Sequence, residues 1–462
     1  MEINQLEKLR PVGRLEQYST ARNPLGFYYN VAVAATYTLP ESSLSIKDYV
    51  YRACEAAIFQ HPILCAIPVG EDTKEPHWAR LPEIDLGRSV SSQKRSHPFP
   101  GEDEKDDELE KLLNIQHNIA FSPPLPYWRV CLLLDAGNKR RFTAAFVFHH
   151  AVGDGTSGKA FHKSFLEGLH AVTESSAETR QVISSPTMPL LPSIEEIHPM
   201  TLTIPYLATT LFKEKVWSWR DPGLWTGSEI RVPLETQMRH IVIPKSLATS
   251  FRHACRRNNT TITAALQTIV SRAVFTHIPD NFTQLKCNGP LSSRKFLPDI
   301  VTDDSIGVWI QDYNEFYSRD DVMLDSFPWS EAQRSRRTIE STLSLQGTNA
   351  SPNLLRYVND FHQELFLSKV GKQRGSSFEL SNIGVFAPGL NLNDDPSKPH
   401  IGRMIFSQCA SVTGCAVEIS VISGGDGCLV LALSWQTGVV EEGLASSVIE
   451  TVEKEVHELA QE

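Results

Sequence analysis

The sequence has no apolar run approaching the roughly 20 residues needed to span a bilayer, and its opening, Met1-Glu2-Ile3-Asn4-Gln5-Leu6-Glu7-Lys8, carries no apolar signal core. No transmembrane segment or secretory leader is expected, and the chain reads as soluble and cytoplasmic. A basic excess is also missing: 44 Lys and Arg face 54 Asp and Glu, for a formal net charge of -10. Nucleic acids and anionic membranes select basic surfaces, so neither is expected as a partner. The eight cysteines, Cys54, Cys65, Cys131, Cys255, Cys287, Cys409, Cys415 and Cys428, form no C-x-x-C pair. Most stand inside apolar stretches such as Val130-Cys131-Leu132, so buried reduced thiols are expected rather than disulfides or zinc ligands. No repeat occurs at solenoid periods.

What remains is a mixed pattern of strands and helices, an α/β (α+β) chain. At roughly 150 residues per domain, 462 residues allow two or three domains. Residues 26–39 are rich in aromatic and β-branched types and predict a strand. Val50, Ala53 and Ala57 recur at helical spacing in 46–60. Pro62 then ends that helix and a strand begins. Residues 95–110 predict a charged, mobile loop, and 128–134 with 142–148 predict a hairpin. Pro186, Pro189, Pro192 and Pro199 mark a crossover. The expected organisation is therefore a first unit over 1–183, a linker over 184–235 and a second unit over 236–462. In the second unit, helices are expected near 245–257, 262–277, 330–345 and 354–368. Strands are expected at 239–243, 377–386, 402–408, 416–423 and 428–435, and a closing helix at 441–460.

The most informative stretch is Phe146-Val147-Phe148-His149-His150-Ala151-Val152-Gly153-Asp154-Gly155. An apolar strand ends in two histidines. Gly153 and Gly155 flank Asp154, so the backbone is expected to turn sharply there. A helix follows, with Thr156 or Ser157 as its cap. An imidazole titrates near pH 6.5, which suits His150 to take a proton from a hydroxyl or amine nucleophile with no covalent intermediate. Asp154 can orient the histidine, or pair with an arginine and brace the turn. A metal site built from His149, His150, Asp154 and His162 has suitable ligand atoms. Adjacent strand residues point to opposite faces, however, so His149 and His150 do not readily share an ion, and no metal is expected.

The pattern His-His-x-x-x-Asp-Gly resembles the signature of the coenzyme A-dependent acyltransferase superfamily. That group includes chloramphenicol acetyltransferase, the plant BAHD acyltransferases and the condensation domains of peptide synthetases. The chain is more closely similar to the alcohol acetyltransferase family of yeasts and other fungi. The similar stretches are Leu9–Tyr18, Gly26–Val31, His61-Pro62-Ile63-Leu64, Tyr127-Trp128-Arg129-Val130, Gly371–Arg374, Phe378–Gly384 and Phe406-Ser407-Gln408. They cover nearly the whole length in the expected order. The Asp-Phe-Gly-Trp-Gly of the plant branch is absent, and Ser381-Asn382-Ile383-Gly384 stands at that place.

The resemblance implies two chloramphenicol acetyltransferase-like mixed-sheet subdomains with a channel between them. Acyl-CoA, most simply acetyl-CoA, enters from one face and a small-molecule alcohol from the other; an amine acceptor stays open. His150 and Asp154 are the implied catalytic pair. In relatives the aspartate usually makes a structural salt bridge to arginine, for which Arg294 is the first candidate and Arg14 and Arg22 are alternatives. His149 is implied to be a structural residue facing the other way. Ser381, Asn382, Ser407 and Gln408 are candidate donors to the tetrahedral oxyanion, and Lys372 and Arg374 to the phosphates of coenzyme A. Gly384 is expected to permit close backbone approach. Trp217, Trp219, Trp225 and Trp309 are candidate channel residues. Two other readings keep the same fold. One is a carrier-protein-dependent condensation enzyme, disfavoured because no carrier domain is attached. The other is a silent binding member, in which loss of the base would be expected, whereas His150 and Asp154 are both present.

Overall fold

The computed structural model describes residues 3–42, 44–172, 178–215, 221–387, 395 and 397–461. Two mixed sheets carry the chain. The first has five strands in the order His400–Gln408, Val31–Thr38, Arg141–Phe148, Trp128–Leu134 and Val90–Lys94. The second has six, in the order Thr236–Ile243, Leu429–Gln436, Val417–Ser423, Phe378–Val385, Gln284–Ser292 and Ile310–Ser318. The near-continuous apolar runs of the central strands follow from burial on both faces. Helices Ile46–Gln60 and Gly155–Ala171 pack together on the first sheet, and Lys245–Arg257, Ile262–His277 and Glu442–Gln461 on the second. A third cluster, including Leu15, Phe27, Ile194, Ile230, Trp309 and Phe366, sits beneath the segment joining the halves.

The strand over His400–Gln408, expected in the second half, pairs instead with Val31–Thr38 and completes the first sheet. Register runs from His400 opposite Thr38 to Gln408 opposite Val31. Several local expectations change too. The strand expected over 26–39 begins at Val31. Pro62 opens a single 3-10 turn, Pro62–Cys65, before the strand Ala66–Val69. The charged loop is anchored rather than free. Its Arg95 guanidinium is buried on Asp106, and Phe99 lies between the guanidinium groups of Arg95 and Arg141, each at 4.1 Å. Asp106 then caps a helix, Asp107–Gln116, that starts inside the expected loop, accepting from Leu109 N at 3.0 Å. The segment 354–368 is a 3-10 turn, Ser351–Tyr357, and a π turn, Phe361–Phe366, separated where Asp360 caps Gln363 N. The stretch 184–235 is not plain linker, because it contains the helix Ile204–Lys215. All eight cysteines are free and buried.

Candidate active site

The strand Arg141–Phe148 ends and the backbone turns at once. His149 N donates to Tyr127 O at 2.9 Å, and Val152 N donates to His149 O at 2.9 Å. Helix Gly155–Ala171 starts on the far side of the turn. Phe146 of the strand stacks on Phe161 of the helix with ring centroids 3.7 Å apart and planes 5° from parallel. The strand and helix that flank the turn are thus packed directly on each other. The histidines between them have little freedom, because close-packed interiors transmit rather than absorb displacement.

The two histidines go to different places. His149 is buried against the rings of Tyr127 and Phe121. Its Nδ1 accepts from Ala151 N at 3.1 Å, so the neutral ring carries its proton on Nε2, 3.9 Å from Glu71 Oε1. Burial first, and the Arg22 guanidinium second, push its pKa down to about 3. His150 instead lines a cavity of about 730 Å³, whose walls come from both halves of the chain. Its Nδ1 has no hydrogen-bond partner. Burial first, then Arg22, lower its pKa to about 4, with Asp154 pulling the other way. At neutral pH the ring is an uncharged base facing the cavity.

Asp154 braces the turn. Its Oδ2 accepts from Arg294 Nη1 at 2.7 Å and its Oδ1 from Arg294 Nη2 at 2.9 Å. Of the three arginines considered, Arg294 is the partner; Arg22 lies instead over the rings of Tyr18 and Tyr28, and Arg14 donates to Val358 O. Asp154 also accepts from Trp309 N at 3.2 Å and from Ser157 N at 3.1 Å. Asp154, not Thr156 or Ser157, is therefore the helix cap. Its carboxylate oxygens are committed to these donors, none of them His150. The glycines serve close packing rather than a left-handed turn. A Cβ on Gly153 would meet Ser157 Cβ at 2.6 Å, and one on Gly155 would meet Ile383 Cγ2 at 2.6 Å. Gly384 is the reverse: it has φ +78° and open space around it, so its role is the turn and not close approach.

The other candidates divide. Ser381 and Gln408 line the cavity. Ser407 is turned away, its Oγ 2.8 Å from His117 Nε2. Asn382 donates to Thr263 Oγ1 at 3.0 Å and accepts from Gly384 N at 2.8 Å, away from the cavity. Alternation along a strand explains the split, since adjacent side chains take opposite faces. Lys372 lines the cavity from an exposed position. Arg374 is buried and spent on the carbonyls of Ser228, Glu229 and Val412 and on Gln436 Oε1, so it is no phosphate ligand. Trp225 and Trp309 are core residues, and Trp217 and Trp219 lie outside the described residues. Five charged residues that sequence reasoning did not place in the cavity also line it: Arg22, Asp312, Lys369, Glu379 and Glu418. A signal for the last was present, because Glu418 interrupts the apolar run Ala416-Val417-Glu418-Ile419.

Residues 93–455 match the family model for alcohol acetyltransferases. The chain belongs to the alcohol acetyltransferase family. An Aspergillus fumigatus protein called "Probable alcohol acetyltransferase crmB" is 35% identical over 466 residues, spanning 96% of this chain and 98% of the relative. Among solved structures, the TRI3 trichothecene 15-O-acetyltransferase of Fusarium sporotrichioides superposes with a TM-score of 0.73 at 12% identity, covering 99% of this chain and 98% of that one. The condensation domain of the Monacolin K polyketide synthase MokA gives 0.64 at 10% identity, with 99% and 98% covered. The two solved structures share the fold, which is the chloramphenicol acetyltransferase-like arrangement of two mixed sheets. The protein is thus an acyltransferase that acts on alcohols. Among the described residues of this alcohol acetyltransferase family member, no helix is long and apolar enough to cross a membrane.

The buried titratable groups carry a pH signature. His61, His150 and His162 are pushed down to about 4, and His117 and His149 to about 3, all chiefly by burial. A folded-state pKa below the ordinary 6.5 means stability is complete above pH 6.5 and is lost as pH falls toward 4 and then 3. Glu71 and Glu379, both raised to about 7 by burial, act oppositely, and their contribution is complete below their ordinary value near 4.5. Between pH 6.5 and 4.5 the two sets partly offset. Below 4.5 the offset from the glutamates ends, while the histidines and Asp154, whose pKa is lowered, go on losing stability, so the fall is expected to be steepest there. Activity should persist well below pH 6.5, until unfolding ends it. Thermal midpoints and initial rates measured from pH 7 to 4 check this; a midpoint flat down to pH 4 would contradict it.

Proposed function

We propose that the protein moves an acetyl group from acetyl-CoA to an acceptor hydroxyl by direct general-base catalysis, with both substrates bound together. The observation that carries this reading is that His150, alone of the histidine pair, reaches the cavity and is held there uncharged. The imidazole takes the acceptor's proton as its oxygen attacks the thioester carbonyl. The new carbon–oxygen bond forms, the carbonyl electrons move to the oxygen, and the tetrahedral centre then expels sulfur. The imidazolium returns its proton to the thiolate, leaving an acetyl ester and free coenzyme A. Ser381 is the cavity-facing hydroxyl best suited to the oxyanion, because Gln408 is held by Tyr28 and Glu379. The cysteine that lines the cavity, Cys415, has its thiol pushed well up by burial, which favours direct attack over an acyl-cysteine. The ammonium of Lys372, exposed at the cavity wall, suits the coenzyme's phosphates.

Incubation with labelled acetyl-CoA and simple alcohols tests the proposal, with free thiol and acetyl ester measured together. Ester is expected in step with thiol. Thiol without ester for every alcohol, or ester only when a carrier protein delivers the acetyl group, would defeat it.

A further inference from the structure

One stretch of the cavity wall is polar. Glu379 and Glu418 occupy one register position on the paired parallel strands Phe378–Val385 and Val417–Ser423, so their side chains share a face. Asn288 stands beside Glu379 on the next strand, and all three line the cavity. Glu379 is held by Gln408, whose Nε2 donates to its Oε1 at 2.9 Å. Gln408 in turn accepts from Tyr28 Oη at 3.2 Å, and the Tyr28 ring lies 5.7 Å from that of His150. The carboxyls and the base are thus joined along one wall.

Glu418 is different from its partner. It is 4% exposed, yet its Oε2 has no hydrogen-bond partner. The Thr413 hydroxyl, also on the cavity wall, is orphaned as well. Buried polar atoms are ordinarily satisfied, so a carboxyl oxygen and a hydroxyl left free on a cavity wall mark where a ligand's polar group belongs. Burial raises the pKa of both carboxyls, that of Glu418 well above the ordinary value, with Arg22 opposing on both and Arg374 on Glu418. The free oxygen therefore belongs to a carboxyl held neutral, which offers no net negative charge to an ammonium. A neutral hydroxyl, able both to donate and to accept, fits.

We infer that the acceptor is a polyhydroxylated alcohol, one hydroxyl being acetylated at His150 while a second hydrogen-bonds to Glu418. The inference rests on the acetyl-transfer reading above. A monofunctional alcohol occupying the same cavity would exclude water from Glu418 and leave its Oε2 unpaired, which is the kind of loss that lets a site built for a hydroxyl reject an analogue lacking it.

The test compares terminal alkanediols of graded length with the 1-alkanols of matching length and with the matching amino-alkanols. Acetyl-CoA is the donor, and the proteins are wild type, Glu418→Leu and Thr413→Val. For the best-fitting chain length, wild type is expected to prefer the diol over the alkanol by about tenfold or more in kcat/KM. Glu418→Leu should bring that ratio to within about threefold of parity, a loss that follows from removing the carboxyl oxygen. Thr413→Val, which removes only a hydroxyl, should lower the ratio partway, and it serves as the second probe if Glu418→Leu does not fold. Parity in wild type, a diol preference that survives both substitutions, or amino-alkanols preferred over diols would each overturn the inference. Calorimetric titration of the same compounds without donor reads binding alone. If no alcohol is acetylated, the transferase reading fails by itself, and this titration still decides the inference: tighter diol binding lost in Glu418→Leu supports it, and equal binding refutes it.

Discussion

His150→Ala is expected to lower kcat/KM for acetyl transfer by about 10³-fold, in the middle of the range for removal of a positioned general base. The thermal midpoint should move little. The His150 ring opens on the cavity and its Nδ1 bonds to nothing, so truncation breaks no hydrogen bond at that atom and leaves no partner unpaired. His149→Ala is the contrasting case. That ring is enclosed by Tyr127 and Phe121 and accepts the Ala151 N–H, so its removal empties a buried site and orphans a donor. A stability loss of about 2 kcal/mol or more is expected, with a smaller effect on kcat. The two variants should therefore fail differently, one in turnover and the other in denaturation. Equal thiol release by wild type and folded His150→Ala, with an acceptor that wild type acetylates, would remove His150 from the chemistry.

Arg294→Met is expected to be the most damaging single change to the fold near the site. The Arg294 and Asp154 side chains are 1% and 3% exposed, and their bidentate pair is surrounded by Ser157, Gly307 and Trp309. Removing the guanidinium leaves a buried carboxylate without its counter-charge, which costs about 3–5 kcal/mol. The Arg294 guanidinium, with burial opposing it, holds the Asp154 pKa below the usual carboxylate range. That contribution is present at neutral pH and disappears as pH falls through the lowered value. Asp154→Asn keeps an oxygen for the helix cap but loses the charge, so its cost should be smaller. Denaturant midpoints and pH–rate profiles separate the possibilities. A brace predicts a destabilised protein whose remaining activity keeps the wild-type pH profile. A fully stable Asp154→Asn with an altered profile would make the aspartate a catalytic partner instead.

The parts of this site legible in sequence were those written locally. The strand, turn and helix around His149 and His150 lie within a single run, and apolar spacing together with the glycines marks each element. The Arg294 pairing crosses 140 positions and was reached only through family resemblance. Alternation on a strand was the rule most easily misapplied: Ser407 and Gln408 are neighbours in sequence, but only Gln408 faces the cavity. Arg374 carried a cationic label that its surroundings cancel, because buried carbonyls take the donors a phosphate would need. Glu379 and Glu418 are 39 positions apart and share a face only through parallel pairing, which no local pattern encodes. The helix Asp107–Gln116 was hidden by its acidic first turn, which reads as loop until Asp106 is seen as its cap.

The strand His400–Gln408 has a consequence for how the protein is made. Its partner, Val31–Thr38, emerges early from the ribosome, but the edge that His400–Gln408 will cover stays bare until most of the chain has been synthesised. Through that interval the first sheet offers open backbone donors and acceptors to any passing strand. A fragment ending before residue 400 would keep that edge permanently. The two halves are therefore fastened like a clasp closed last, and the protein should not divide into separately expressible lobes at the proline-rich crossover.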